Sequence, residues 1–113
     1  MWRDDAYLLD MLIHARDVLA FNAEGGIQAL IDDKRRLYAT LHALQIVGEA
    51  ASKVSREFRD THGEIPWEAI IGLRHRVVHD YARIELPKIW VIVDQHLPSL
   101  IKSLEVLVPP DAT

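Results

Sequence analysis

Hydrophobic residues recur every three or four positions along most of the chain, which is the period of amphipathic α-helices. The first predicted helix runs from about Asp4 to Phe21, and its apolar positions are Leu8, Leu12, Ala15 and Leu19. Asp4 and Asp5 open it, where acidic side chains suit the positive end of the helix dipole. Gly25-Gly26 predicts the end of this helix. A short apolar helical piece should follow, with Ile27, Leu30 and Ile31.

A long helix is predicted next, ending at about Asp60. Its apolar seam consists of Leu37, Leu41, Leu44, Gly48, Ala51, Ser55 and Phe58. A polar stripe at the same spacing consists of Arg35, Tyr38, His42, Gln45, Glu49, Ser52 and Arg56, and such stripes are usually solvated faces. Small residues in the middle of the seam should let another helix approach closely, and Glu49 lies beside that point.

Two more helices complete the prediction. One starts near Ile65-Pro66-Trp67, where proline suits the first helical turn, and ends at about His79. Its buried side is predicted to consist of Trp67, Ile70, Ile71, Val77, Val78 and Tyr81. The last helix should extend from about Pro87 to Leu107, with a kink where Pro98 frees the carbonyl of Asp94. Its seam consists of Leu86, Trp90, Val93, Leu97, Leu100, Leu104 and Leu107.

No useful stretch alternates with the period of a β-strand. The sequence therefore predicts an all-α, up-and-down bundle of four main helices plus a short helical piece. The chain has 113 residues, so we expect a single domain spanning residues 1–113.

Composition narrows the class of protein further. The chain has no cysteine, which excludes disulfides and thiolate chemistry and fits a reducing compartment. It contains no apolar run of membrane-spanning length, and its first residues do not resemble a secretory signal. We therefore expect a cytoplasmic protein with no membrane association.

The segment from Arg74 to Arg83 differs from the rest of the chain. It contains three arginines and two histidines against one aspartate, whereas the whole chain has a net charge of −4. A local cationic segment on an acidic protein suggests a specific site for an anion rather than a general coat for nucleic acid.

Arg74 falls between the apolar pairs of its helix, in a slot that should face the core. A buried guanidinium needs a carboxylate, a carbonyl or a bound phosphate, and Glu49 is the candidate carboxylate. The alternative is that Arg74 extends past the apolar rim to solvent, as arginine commonly does.

His75, Arg76 and His79 form a second group, since positions three and four apart share one side of a helix. Histidine can accept or give a proton near neutral pH, and arginine holds a phosphate by two parallel hydrogen bonds, so this group suits metal-independent cleavage of a phosphodiester. Arg74 and His79 lie about 140° apart around a straight helix, so their tips meet only if Arg74 curls or the helix ends near His79.

A zinc site is the competing interpretation, because two histidines four apart can bind zinc. His62 or Glu49 would have to supply a third ligand. The other histidines are expected to be surface or capping residues, namely His14, His42, His62 and His96. The tryptophans, Trp2, Trp67 and Trp90, are expected to anchor the core or an interface.

The order of motifs along the chain resembles the HepT-like toxins of the HEPN superfamily. Arginine, four residues, histidine, one residue and tyrosine match the signature of that family at Arg74, His79 and Tyr81. The setting also matches, in the same order: Gln45 to Ala50, Ile65-Pro66-Trp67, Ile70 to Arg74, and Trp90 to Pro98. One departure is His75, where relatives commonly carry asparagine or another small polar residue.

The resemblance implies a helical homodimer that brings two Arg-His motifs together in a cleft and cleaves RNA without a metal or other cofactor. Arg74 and His79 would inherit the catalytic positions, with His75, Arg76 and Glu49 supporting them or binding phosphate. The products would be a 2′,3′-cyclic phosphate and a 5′-hydroxyl. The family also implies a small MNT-type nucleotidyltransferase antitoxin, which would transfer AMP to Tyr81.

Two other functions stay open from the sequence. The bundle could be a non-catalytic binding module or adaptor for a nucleotidyltransferase, which the acidic net charge favours. It could also be a structural homodimer with a buried arginine network.

Overall fold

The computed structural model describes residues 2–79 and 85–109, without the side chains of Trp2 and of residues 75–79. Seven α-helices and one π-helical segment occupy most of these residues. In chain order they are α1 (Trp2–Phe21), α2 (Gly26–Asp32), α3 (Lys34–Lys53), α4 (Arg56–Thr61), α5 (Trp67–His79), α6 (Leu86–Val91), a π-helical turn (Ile92–His96) and α7 (Leu97–Leu107). The described residues contain no strand, so the predicted all-α class is confirmed.

Helix α3 is the centre of the bundle, since it packs against α1 on one side and α5 on the other. Helix α7 covers α1, and α2 lies against α3 and α6. The predicted seams supply much of the core, including Leu8, Leu12, Leu44, Leu97 and Leu104, which have almost no exposed surface. Because α3 is held in the core, the position of a helix that packs against α3, such as α5, is defined by that contact.

Glycine ends α1 as predicted. Gly25 has φ 89° and Gly26 has φ 60°. These angles lie in the left-handed region, which residues with a Cβ rarely adopt. At Gly25 a Cβ would also lie 2.5 Å from the Cβ of Ala29. The chain can therefore turn from α1 into α2 within a few residues.

The predicted long helix to Asp60 is wrong, because the structure divides it at Val54 and Ser55. Both residues have extended backbone angles, with ψ of 137° and 148°. The Ser55 hydroxyl accepts a hydrogen bond from the amide of Phe58 (3.1 Å), which caps α4. The carboxylate of Asp4, on α1, accepts from the Ser55 amide and hydroxyl at 2.8 and 2.7 Å. Ser55 is thus a cap held by α1 and not a small residue in a seam.

The last predicted helix is present, and it contains an irregular turn in the region where Pro98 predicts a kink. The amide of Leu97 donates to the carbonyl of Ile92, five residues back, which defines the π-helical turn. Pro98 follows at the start of α7 and has no amide hydrogen to donate. Among the described residues, no helix is long and apolar enough to cross a membrane.

Candidate functional site

Helix α5 carries the predicted site residues, and an aromatic cluster fixes its first turn. Trp67 is buried, as predicted, and its indole Nε1 donates to the carbonyl of His62 at 2.9 Å. The Phe58 ring packs edge-on against Trp67 and stacks on His62, with centroid distances of 6.3 and 4.1 Å. Pro66 precedes the helix and removes one unpaired amide from its start. The beginning of α5 is therefore anchored to α4 and the loop after it.

A glycine on α3 determines how closely the middle of α5 packs against that helix. Gly48 on α3 is buried, and a Cβ placed there would lie 2.8 Å from the amide nitrogen of Arg74 and 2.9 Å from the carbonyl oxygen of Ile70. The two helices therefore meet backbone to backbone at the residue that begins the Arg-His motif. The predicted close approach at the small residues of the seam is confirmed.

Arg74 does not occupy the predicted core-facing slot. Leu73 is buried at 7 % exposure, whereas the Arg74 side chain is exposed. Ile71 is only half-buried, so the apolar face of α5 is rotated toward Leu73 relative to the prediction. The structure thus agrees with the alternative interpretation, in which Arg74 extends into solvent.

The predicted pairing of Glu49 with Arg74 is also not formed. The Glu49 carboxylate is half-exposed and lies 3.9 Å from Nζ of Lys53, one turn further along α3. Arg74 has no hydrogen bond or ion pair with any residue whose side chain is described. Among the side chains that the structure describes, none occupies its guanidinium, and its backbone is held against α3.

The remaining predicted site residues fall wholly or partly outside the described part of the chain. The backbone of α5 carries His75, Arg76 and His79, but their side chains are outside the description. Tyr81 lies outside the described residues altogether. Because α5 is helical through His79, the Cα atoms of Arg74 and His79 are about 7.5 Å apart along its axis and about 140° apart around it.

The zinc interpretation rests on the same side chains, so the described residues do not test it. Within residues whose side chains are described, no three histidine or acidic residues are grouped closely enough to hold a metal ion. His62, the suggested third ligand, has its Nδ1 3.2 Å from the carbonyl of Phe58.

A cleft that the sequence did not predict opens at the first turn of α5. It encloses about 350 Å³ and is lined by Arg56 and Arg59, but also by Asp60 and Glu68. The Arg59 Nε atom is buried without a hydrogen-bond partner in the described part of the chain. Because the two arginines are balanced by two carboxylates, this cleft attracts anions less strongly than an exposed arginine without an acidic partner.

Comparison with known proteins identifies the family of this chain. A model of the HepT-like ribonuclease family matches residues 11–107. "Putative RNase MJ1380" from Methanocaldococcus jannaschii is 33% identical over 102 residues, which cover 90% of this chain and 94% of the relative. "Probable ribonuclease HepT" from Thermococcus cleftensis is 30% identical over 101 residues, covering 89% of this chain and 92% of the relative. No solved structure matches the chain significantly.

The fold and the family match together define the class of this protein as an all-α bundle of the ribonuclease HepT type. The chain belongs to the HepT-like ribonuclease family. The resemblance seen in its motifs is therefore confirmed.

Proposed function

We propose that this protein is a metal-independent endoribonuclease in which Arg74 and His79 cleave the phosphodiester backbone of RNA. The observation that carries the proposal is an exposed arginine without a partner among the described side chains, on a helix whose backbone is packed against the core. Relatives that cover nearly the whole chain are named as ribonucleases, which supports the same activity.

The proposed reaction is an internal transfer at phosphorus. His79 accepts the proton of the ribose 2′-hydroxyl, and the 2′-oxygen forms a bond to the adjacent phosphorus. The bond from phosphorus to the 5′-oxygen breaks, which leaves a 2′,3′-cyclic phosphate. A protonated imidazole gives a proton to the departing 5′-oxygen, and His75, four residues before His79, is the candidate for this step. Arg74 holds the phosphate through two parallel hydrogen bonds and stabilises its growing negative charge.

A homodimer is part of the proposal. The Cα atoms of Arg74 and His79 are about 140° apart around α5, so one copy of the helix is expected to bring the two side chains together only if the arginine curls. A second copy, placing its own motif opposite the first, would complete a cleft with arginine and histidine on both walls. Arg76 would add to the positive charge of that cleft.

We further propose that the protein is the toxin of a cytoplasmic toxin-antitoxin pair, regulated by a nucleotidyltransferase of the MNT type. Transfer of AMP from ATP to the hydroxyl of Tyr81 would form a phosphodiester on the tyrosine and release pyrophosphate. The added phosphate would stand two residues from His79, where its negative charge repels RNA and competes for Arg74. The test is incubation with ATP, Mg²⁺ and the partner enzyme, followed by mass spectrometry. Wild type should gain one AMP, and Tyr81→Phe should gain none.

The decisive experiment is RNA cleavage by purified protein in EDTA. Arg74→Ala and His79→Ala should each reduce the rate by a factor of roughly 100 or more, which is typical of removing a phosphate-binding arginine or a general base. Arg35→Ala and His42→Ala are the matched controls, because both residues are exposed on α3, and they should retain wild-type rates. The products should carry cyclic-phosphate ends.

The adaptor function makes the opposite prediction. If the protein with unmodified Tyr81 cleaves none of several RNAs yet binds a nucleotidyltransferase, the ribonuclease proposal is wrong and the protein is a binding module.

A further inference from the structure

We infer that Gly48 is a positioning residue for the proposed ribonuclease site, because it sets the position of the Arg74 backbone. This inference rests on the proposed function. A Cβ at position 48 would lie 2.8 Å from the Arg74 amide nitrogen, 2.9 Å from the Ile70 carbonyl oxygen and 3.1 Å from the Arg74 Cβ. Separations below 3.0 Å to main-chain atoms require a helix to move.

The atoms that Gly48 faces belong to one hydrogen bond. In an α-helix the amide of residue 74 donates to the carbonyl of residue 70, and these are the two main-chain atoms nearest to the missing Cβ. A flexible side chain could turn away from an added methyl group, but a helical hydrogen bond cannot turn without distorting α5. Any side chain at position 48 would therefore displace α5 or open this bond.

Core packing opposes a movement of helix α3 instead. The neighbours of Gly48 along its buried face, Val47 and Ala51, have no exposed surface and pack into the core. The first turn of α5 is held by the hydrogen bond from Trp67 to the His62 carbonyl. Strain from a side chain at position 48 would thus fall on the part of α5 that follows Ile70, which carries Arg74 and His79.

A displacement of this size matters for catalysis. Misplacing a reacting group by about 1 Å can lower a rate by roughly a factor of 100. A methyl group that meets atoms at 2.8 Å needs a shift of several tenths of an ångström to reach ordinary van der Waals contact. Position 48 therefore controls the site although it is buried one helix away from the reacting atoms.

Gly72 provides a matched control on α5 itself. It lies two residues before Arg74, and a Cβ placed there would meet no atom of the described residues within 4 Å. Gly72→Ala adds the same methyl group close to the motif without a clash and improves the helix propensity of α5.

The experiment compares Gly48→Ala with Gly72→Ala, each in wild-type and Arg74→Ala backgrounds. RNA cleavage is measured below the unfolding temperature of every variant, and binding of 2′-O-methyl RNA, which lacks the nucleophile, is measured by fluorescence anisotropy. We expect Gly48→Ala to lower the cleavage rate at least 10-fold and Gly72→Ala to leave it within 2-fold of wild type.

The double mutant separates positioning from general damage. If Gly48 acts through Arg74, the change Gly48→Ala should weaken RNA binding in the wild-type background but not further in the Arg74→Ala background. An equal weakening in both backgrounds would overturn the inference, as would a folded Gly48→Ala protein with wild-type cleavage. If Gly48→Ala does not fold in buffer, all variants are compared in trimethylamine N-oxide, which favours the folded state.

Failure of the proposed ribonuclease function can be told apart from failure of the inference about Gly48. If wild type neither cleaves nor binds RNA, the ribonuclease proposal falls, and hydrogen exchange of the Arg74 amide tests the packing on its own. Gly48→Ala should then exchange this amide at least 10-fold faster than Gly72→Ala. Equal exchange rates would show that the methyl group is accommodated and that Gly48 positions nothing.

Discussion

At the scale of single residues, the buried carboxylate of Asp4 has the clearest electrostatic environment in the described part of the chain. Burial acts to raise its pKa, but the hydrogen bonds from the amide and hydroxyl of Ser55 act in the opposite direction, and the pKa lies below its ordinary value of 3.8. The folded protein therefore stabilises the ionised form of the Asp4 carboxylate.

We expect Asp4→Asn to reduce the free energy of unfolding by about 1.5–3 kcal/mol at neutral pH, the usual range for hydrogen bonds to a charged acceptor. Asp5→Asn is the control, because Asp5 is exposed beside it, and it should cost less than about 0.5 kcal/mol. Urea denaturation of both variants and wild type measures the difference. Equal stability of the two variants would contradict this role for Asp4.

The same carboxylate predicts a dependence on pH. Since the pKa of Asp4 is lower in the folded than in the unfolded chain, its contribution is present above the ordinary value of 3.8 and is lost as the pH falls through the folded value. The stability difference between wild type and Asp4→Asn should therefore shrink as the pH falls below the ordinary value of 3.8. Repeating the urea titrations across this range checks it, and a constant difference would argue against an ionised Asp4.

At the scale of elements, α5 is held at two points, by Trp67 in its first turn and by Gly48 in its middle. The first point combines the packing of Trp67 against Phe58 with a hydrogen bond from the Trp67 indole to the His62 carbonyl at 2.9 Å. This bond joins the start of α5 to the loop after α4. The contribution of this hydrogen bond can be tested by removing a single donor.

We expect Trp67→Phe to lower the free energy of unfolding by about 1–3 kcal/mol, because it removes a part-buried hydrogen bond and part of a packed ring. The His62 carbonyl keeps its other hydrogen bond, from the Ile65 amide at 3.2 Å. Trp90→Phe is the matched control. Trp90 is half-buried and its indole has no hydrogen-bond partner in the described part of the chain, so this change should cost less. Thermal unfolding of the two variants compares them. A larger loss for Trp90→Phe would show that the Trp67 hydrogen bond is not the anchor.

The sequence predicted helices from their local pattern and missed features that depend on distant partners. The division between α3 and α4 was not predictable, because Asp4, which binds Ser55, is 51 residues away in the chain. The face of α5 was assigned one residue out of phase, since Ile70, Ile71 and Leu73 allow two apolar stripes 100° apart. The small residue at position 48 did predict a close approach, because the absence of a side chain is itself a local signal. The roles of Arg74 and His79 stay predictions.

At the scale of the whole molecule, the proposed activity requires two copies of the chain. The net charge is −4, so two copies repel each other weakly at long range, and salt should favour their association. The cationic segment after Leu73 would lie between them, and a bound RNA phosphate would reduce the repulsion between the two motifs. Dimerisation and RNA binding should therefore strengthen each other.

Mixing wild type with His79→Ala tests this arrangement. If both copies of the motif are needed in one cleft, activity after subunit exchange should follow the square of the wild-type fraction, so equal mixing leaves about one quarter of the activity. If each chain acts alone, half remains. Mixing wild type with His42→Ala, which changes an exposed histidine on α3, is the control and should leave activity unchanged.

The contact at Gly48 also affects which side chains the outer face of α5 can carry. The distance between α3 and α5 is set by main-chain atoms and by the first carbon of residue 74, which every amino acid except glycine provides. The chemistry displayed along the outer face of α5 can therefore be exchanged while the scaffold beneath it keeps its dimensions. Replacing Arg74 with alanine, lysine or glutamate should alter what the helix recognises and leave its placement intact, so this helix pair is a ready frame for designing new anion-binding or metal-binding surfaces.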